Sequence, residues 1–187
     1  MIYPQKITSK KSDLIINLLL IFSIIIGLVL ILINNLTTPN IRWAGIANAG
    51  IIYMWAVVIY SIKRRNNIAG HVLVQVILAS VLTIYIDNIM GFRGWSIYVA
   101  NPIILFVANI TMLILTAISF EKYIKYAIYQ LGIVFLSLIP LWLIMGHIIE
   151  LKMLNRIAVE VSILNLIVSL ILCAKDIKEA IIRKLHM

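Results

Sequence analysis

Apolar and polar positions in this chain are segregated into long blocks rather than mixed within helical turns. Six apolar runs, at about 13–33, 44–62, 68–89, 95–120, 126–149 and 156–174, are parted by short polar breaks. A helix needs about 20 apolar residues to cross a bilayer, so each run has the length of one crossing. The pattern predicts an all-α, polytopic membrane bundle of six transmembrane helices.

The breaks carry the chemistry of turns and helix ends. Asn34, Asn35, Thr37, Thr38, Pro39 and Asn40 read as a loop, and Lys63, Arg64, Arg65, Asn66 and Asn67 stop the second run. Between the third and fourth runs, Asp87, Gly91, Arg93, Gly94, Trp95 and Pro102 crowd into a tight hairpin, its glycines permitting a sharp reversal. Glu121, Lys122 and Lys125, interleaved with Tyr123, Tyr126 and Tyr129, form the next interface, and Glu150, Lys152, Asn155 and Arg156 the last loop. Ser12 or Asp13 is expected to cap the first helix, and Pro140 to bend the fifth by removing a backbone bond. In the tail, 175–187, Ile177, Ile181, Ile182 and Leu185 share one face, which predicts an amphipathic helix lying on the membrane surface.

Composition turns this pattern into an exclusion. The chain of 187 residues is 63% hydrophobic and 12% charged, with a mean hydropathy of +1.08, far from the roughly half-apolar, quarter-charged mix of soluble domains. No room remains for a separate soluble domain, so residues 1–187 read as one integral membrane domain. The first run is long and no small-x-small cleavage site follows it, so it is expected to stay as a signal anchor. One cysteine, Cys173, excludes an internal disulfide and a cysteine-cluster zinc site.

The net charge of +9 would fit nucleic acid if it formed one patch. It falls instead in brief clusters between apolar runs, as topology determinants facing anionic lipid do. No nucleic-acid partner is expected. Lys6, Lys10, Lys11, Lys63, Arg64, Arg65, Lys122, Lys125, Lys175, Lys178, Arg183 and Lys184, or 12 of the 16 basic residues, fall on one side. Arg42, Arg93, Lys152 and Arg156 fall on the other. The positive-inside rule then makes both termini cytoplasmic. Trp43, Trp95 and Trp142 near the outer interface, and Tyr60, Tyr123, Tyr126 and Tyr129 near the inner one, agree with that orientation.

Candidate chemistry is sparse. Asp87 and Glu160 are the acids most deeply placed, and a carboxylate at membrane depth marks function unless it is paired. Each lies about one turn from an outer helix end, within reach of Arg93 or Arg156, and His147 is placed to join them. Asp87, Arg93, His147, Arg156 and Glu160 therefore form a candidate polar or ion-pair cluster, open to a structural reading and to a proton or cation site. His71 and Gln75 read as interhelical hydrogen-bonding groups. Gly45 and Ala49 fit the small-xxx-small spacing that lets helices approach closely, and Asn48, Asn109 and Asn165 are expected to bond across helices. No catalytic serine, cysteine–histidine pair, phosphate loop or metal-ligand spacing stands out, so neither an enzyme nor a cofactor or metal is expected.

Tyr3-Pro4, Lys10-Lys11-Ser12-Asp13, the hairpin residues Asp87 to Gly91, Gly94-Trp95-Ser96 with Pro102, and the closing Arg183-Lys184-Leu185-His186-Met187 together resemble an uncharacterised family of bacterial six-span membrane proteins. Many of its members carry an N-terminal zinc ribbon ahead of the tyrosine–proline pair, and the ribbon's cysteines are absent from this sequence. The resemblance implies a multi-pass protein of the bacterial plasma membrane and carries no activity with it. Two functions are compatible with the residues. One is a non-enzymatic accessory, sensory or immunity-type component whose partners are the bilayer and another membrane protein or a second copy of itself. The other is a small transporter or channel subunit using the outer Asp/Glu/His cluster.

Overall fold

In a computed structural model the backbone is described for residues 6–64, 67–118, 123–147, 149–150 and 152–185, and side chains for these except 6–13, 123–127 and 172–185. Tyr3 and Pro4, Arg65 and Asn66, Glu121, Lys122, His186 and Met187, to which the sequence assigned roles, lie outside the described residues. The chain is all-α among the described residues: α1 (Lys6–Thr37), α2 (Trp43–Lys63), α3 (Ile68–Ile89), a π-helical turn (Ser96–Ala100) leading into α4 (Asn101–Ile118), α5 (Tyr123–Met145) and α6 (Met153–Leu185). Six helical stretches are long and apolar enough to cross a membrane by length and composition.

Three boundaries depart from expectation. The first helix starts at Lys6, so Ser12 and Asp13 lie inside α1 rather than at its cap; lysine and serine cost little enough in a helix that the polar lead joins the apolar run. The same helix continues past Asn34 and Asn35 to Thr37. Asn34 is buried and acts as a clasp: its Nδ2 donates to the carbonyls of Thr38 (2.8 Å) and Ile41 (2.7 Å), and its Oδ1 accepts from the Ala44 N–H (2.8 Å). Turn-forming chemistry is therefore present, spent on holding the next helix rather than on ending the first. At the other end of the chain α6 runs without a break through Ala174 and Lys175 to Leu185, so the tail continues the sixth helix.

The π turn follows from Pro102. In a regular α-helix its ring would press on the carbonyl four residues back, that of Tyr98. The turn widens instead, the Asn101 N–H reaching Ser96 O, five residues back.

The residues pack as two compact units, Met1–Val58 and Ile59–Met187. In the first, α2 is stitched to α1 by the indole of Trp55, which donates to Ser23 Oγ (2.6 Å), and by Asn48, whose Nδ2 reaches Gly27 O (3.2 Å) and Ala44 O (2.8 Å). A Cβ at Gly27 would overlap Asn48 Oδ1, so a larger residue there obliges the amide to turn away. In the second unit α4 packs against α3, α5 and α6, and α5 against α3 and α6. Its apolar core joins Ala69 and Val76 of α3 to Leu105, Ala108 and Met112 of α4 and Ile133 of α5.

Among the described residues, 11 polar or charged residues are buried against 10 apolar ones. Water drives apolar groups inward, whereas lipid is itself as apolar as leucine, so association leans on packing and on interhelical hydrogen bonds. The interior of this chain has the balance expected in lipid.

Candidate functional site

The hairpin is built on a carboxylate. α3 ends in a Schellman motif: Gly91 has φ of 91°, its N–H bonds to Asn88 O (3.2 Å), and the Phe92 N–H reaches back to Asp87 O (2.8 Å). Phe92 (φ 45°) and Gly94 (φ 77°) complete the reversal. Asp87 is 0% exposed, and its oxygens accept from the backbone N–H of Arg93 (3.0 Å), the N–H of Ser96 (3.2 Å) and Ser96 Oγ (2.8 Å). These donors open the fourth membrane-crossing stretch, where the helix dipole also favours an anion. The buried acid thus fastens the end of one helix to the start of the next.

Of the other members of the predicted cluster, Arg93 bonds to Asp87 through its backbone N–H, and His147, Arg156 and Glu160 make no hydrogen bond or ion pair with it among the described residues. Arg156 Nε and Glu160 Oε1 pair at 2.8 Å one turn apart along α6, on the surface of the bundle, their side chains 69% and 59% exposed. It is the only ion pair among the described residues, so Arg93 approaches Asp87 there through its backbone N–H and not through its guanidinium. His147 is exposed and closes α5 in a left-handed conformation (φ 56°), its N–H bonded to Ile144 O (3.0 Å). No hydrogen bond or ion pair among the described residues joins Asp87, His147 and Glu160.

The polar chemistry of the second unit is concentrated instead between α4, α5 and α6. Asn109 Nδ2 is within reach of Leu105 O (2.8 Å), Ser137 Oγ (2.7 Å) and Ser162 Oγ (3.2 Å). An amide has two hydrogens for these three acceptors, so one contact is shared. Asn165 Nδ2 donates to Asn109 Oδ1 (2.8 Å) and Gln130 Nε2 to Asn165 Oδ1 (2.5 Å), while the one hydrogen of the Thr116 hydroxyl is shared between Met112 O (2.8 Å) and Gln130 Oε1 (3.1 Å). The Ser162 hydroxyl donates to Ala158 O and so receives Asn109 as an acceptor. These residues are all at most 3% exposed. The result is a ladder of amides and hydroxyls linking three helices with no ionisable member.

Asn109 and Asn165, expected to bond across helices, do so with each other, and Asn48 does so in the first unit. The sequence reading missed Gln130, Ser137, Ser162 and Thr116, although a signal was present. Asn109 and Thr116, Gln130 and Ser137, and Asn155, Ser162 and Ser169 are each spaced by seven, the repeat that returns to one helix face.

The ladder has one conspicuous gap. Asn155 is 0% exposed, yet neither its Nδ2 nor its Oδ1 has a partner among the described residues, and Asn101 Oδ1 is likewise buried and unpaired among them. Gly45 and Ala49 are half-buried. Ala44, Asn48 and Trp55, the residues of α2 bonded to α1, lie along one stripe, and Gly45 and Ala49 stand on the ridge about 100° round the helix. A Cβ added at Gly50 would meet nothing within 4 Å. Among the described residues no group of three His, Cys, Asp or Glu is placed to hold a metal ion.

Neither the curated proteins nor the solved structures include a match to the chain. A family model, described as a family of unknown function (DUF6320), matches residues 3–187, and the chain belongs to that family.

Proposed function

We propose that this chain is a multi-pass protein of the bacterial plasma membrane with both termini cytoplasmic. In this reading it acts without catalysis, as an accessory, sensory or immunity-type component that works through helix contacts with another membrane protein. The observation that carries the reading is the uncharged ladder at Thr116, Gln130, Asn165, Asn109, Ser137 and Ser162, whose members bond to one another and to carbonyls of their own helices. A bundle so joined is rigid in the middle and offers no charged group there to a passing ion. The small ridge of Gly45 and Ala49 supplies the close approach that helix association in lipid uses. A photo-crosslinking residue at Ala49 should give a discrete adduct in native membranes, and Gly45→Leu should remove that adduct while leaving the protein level unchanged. Recovery of unmodified monomer alone would overturn the reading.

A small transporter or channel subunit is the second reading, favoured by Asp87, a fully buried carboxylate with no cation beside it among the described residues. It requires that vesicles holding the purified protein pass protons or a common cation, and that Asp87→Asn abolish the flux without unfolding the protein. Absence of flux over a range of pH and voltage removes it.

A further inference from the structure

α6 is longer than a bilayer is thick. Its 33 residues run unbroken from Met153 to Leu185, about 50 Å at 1.5 Å per residue, against a hydrocarbon core of about 30 Å. The part of α6 apolar enough to span ends at Ile171, so about four further turns continue along the same axis. A tail lying on the membrane surface would have to break away where the helix leaves the lipid, and α6 has no break there.

This rod carries a seam. Ile163, Ile167, Leu170, Ala174, Ile177 and Ile181 follow one another at spacings of four, three, four, three and four, the a and d positions of three heptads. Ile163, Ile167 and Leu170 are 42%, 52% and 57% exposed, whereas Ser162 and Asn165, which bond to α4 and α5, occupy the other side of the helix. Because the helix is continuous, Ala174, Ile177 and Ile181 keep the phase of the exposed side. Lys175, Asp176, Glu179 and Arg183 fall at b, c and f positions, off the seam, and the run closes at Lys184, a d position.

Lipid covers the first half of such a seam without penalty, but water penalises the second half, which therefore requires an apolar partner of the same spacing. Two copies of this chain in one membrane share one orientation, which sets their sixth helices parallel and each seam position against its twin. In that register e position 178 stands against g position 173, and 185 against 180, so Lys178 meets Cys173 and Leu185 meets Ala180 with no like charges opposed. We propose that α6 pairs with the α6 of a second copy as a parallel coiled coil along Ile163 to Ile181, making the chain a homodimer. The pairing uses nothing of α2, so it stands or falls apart from the partner proposed there.

The test is made on the full-length chain in native membranes, with single cysteines on a Cys173→Ala background oxidised by copper phenanthroline. Ile177→Cys and Ile181→Cys should give disulfide-linked dimers, since d and a positions meet their twins, and Asp176→Cys and Glu179→Cys, at c and f, should give little. The purified protein should have twice the 21.2 kDa mass of the chain by light scattering, and the double variant Ile177→Lys, Ile181→Lys should lose the dimer; if that variant does not accumulate, the cysteine series decides. Equal crosslinking at all four positions, or none at Ile177→Cys and Ile181→Cys, overturns the proposal. So does quenching of a fluorophore at Ile177→Cys by spin-labelled lipid, which puts the tail on the membrane surface, or an adduct of any mass other than twice the chain, which gives the seam to a different protein.

Discussion

At the scale of single residues, burial away from water raises the cost of every unmatched polar atom, and at the α3–α4 hairpin backbone donors meet much of it. Asp87 shows how: its carboxylate is held by two N–H groups and a hydroxyl rather than by an arginine. Hydrogen bonds to a charged group contribute about 1.5–3 kcal/mol, so Ser96→Ala should lower stability by about that amount, read from denaturant titration in detergent. A change within about 0.5 kcal/mol, the usual range of a neutral surface substitution, would mean that the hydroxyl does not hold the acid. His147 illustrates the converse case, in which a side chain suggested chemistry and the backbone uses the position. A left-handed conformation costs an L-residue about 1–2 kcal/mol, and glycine gives back about 0.5–1 kcal/mol as lost chain entropy. His147→Gly should therefore raise the melting temperature slightly and His147→Val should lower it. A fall with glycine would show that the imidazole itself contributes.

At the scale of elements, apolar run length announced the helices well, because crossing lipid demands both a fixed length and internally satisfied backbone bonds. What run length does not encode is the identity of the faces that meet. Helices apolar all round give little amphipathic signal, and the informative residues are the rare polar ones, read by their spacing. Asn109 and Asn165 were legible as interhelical groups, yet the serines, threonine and glutamine that complete the ladder were passed over, since each is unremarkable until its heptad partner is noted. The π turn was not legible: the sequence places Pro102 in the hairpin, whereas it lies inside α4 with the backbone widened ahead of it. The ladder also makes a quantitative demand. Gln130→Leu leaves Asn165 Oδ1 and the Thr116 hydroxyl without their cross-helix contact, a loss of about 1–3 kcal/mol. Asn165→Leu strips Gln130 and Asn109 in the same way. Because both variants break the Gln130–Asn165 bond, the double variant should cost less than the sum of the singles, by about 0.6 kcal/mol or more, the average coupling found in membrane bundles. Strict additivity would show that these amides do not act as a unit.

At the scale of the whole molecule, the distribution of charge makes the strongest claim, and it is one that helix geometry leaves free. Twelve of the 16 basic residues fall in alternate polar segments flanking the six apolar runs, and each lysine or arginine near an anionic leaflet is worth about 1 kcal/mol. Inverting the chain would carry the Lys63-Arg64-Arg65 stop and the lysines of both ends across the bilayer. Under the proposed orientation, parity would put the loop holding Asn40 and the Asp87 hairpin outside and the turn between α2 and α3 in the cytoplasm. Cys173 is the only thiol, so Cys173→Ala provides a clean background for single-cysteine variants. In intact cells a membrane-impermeant maleimide should label Asn40→Cys and spare Lys63→Cys, and opening the cells should expose the second. Replacing Lys63 and Arg64 by glutamate should weaken this bias, giving a mixed population labelled at both positions. Protection of Asn40→Cys together with labelling of Lys63→Cys in intact cells would reverse the molecule, place the Asp87 hairpin in the cytoplasm, and require a determinant of orientation other than the lysines and arginines.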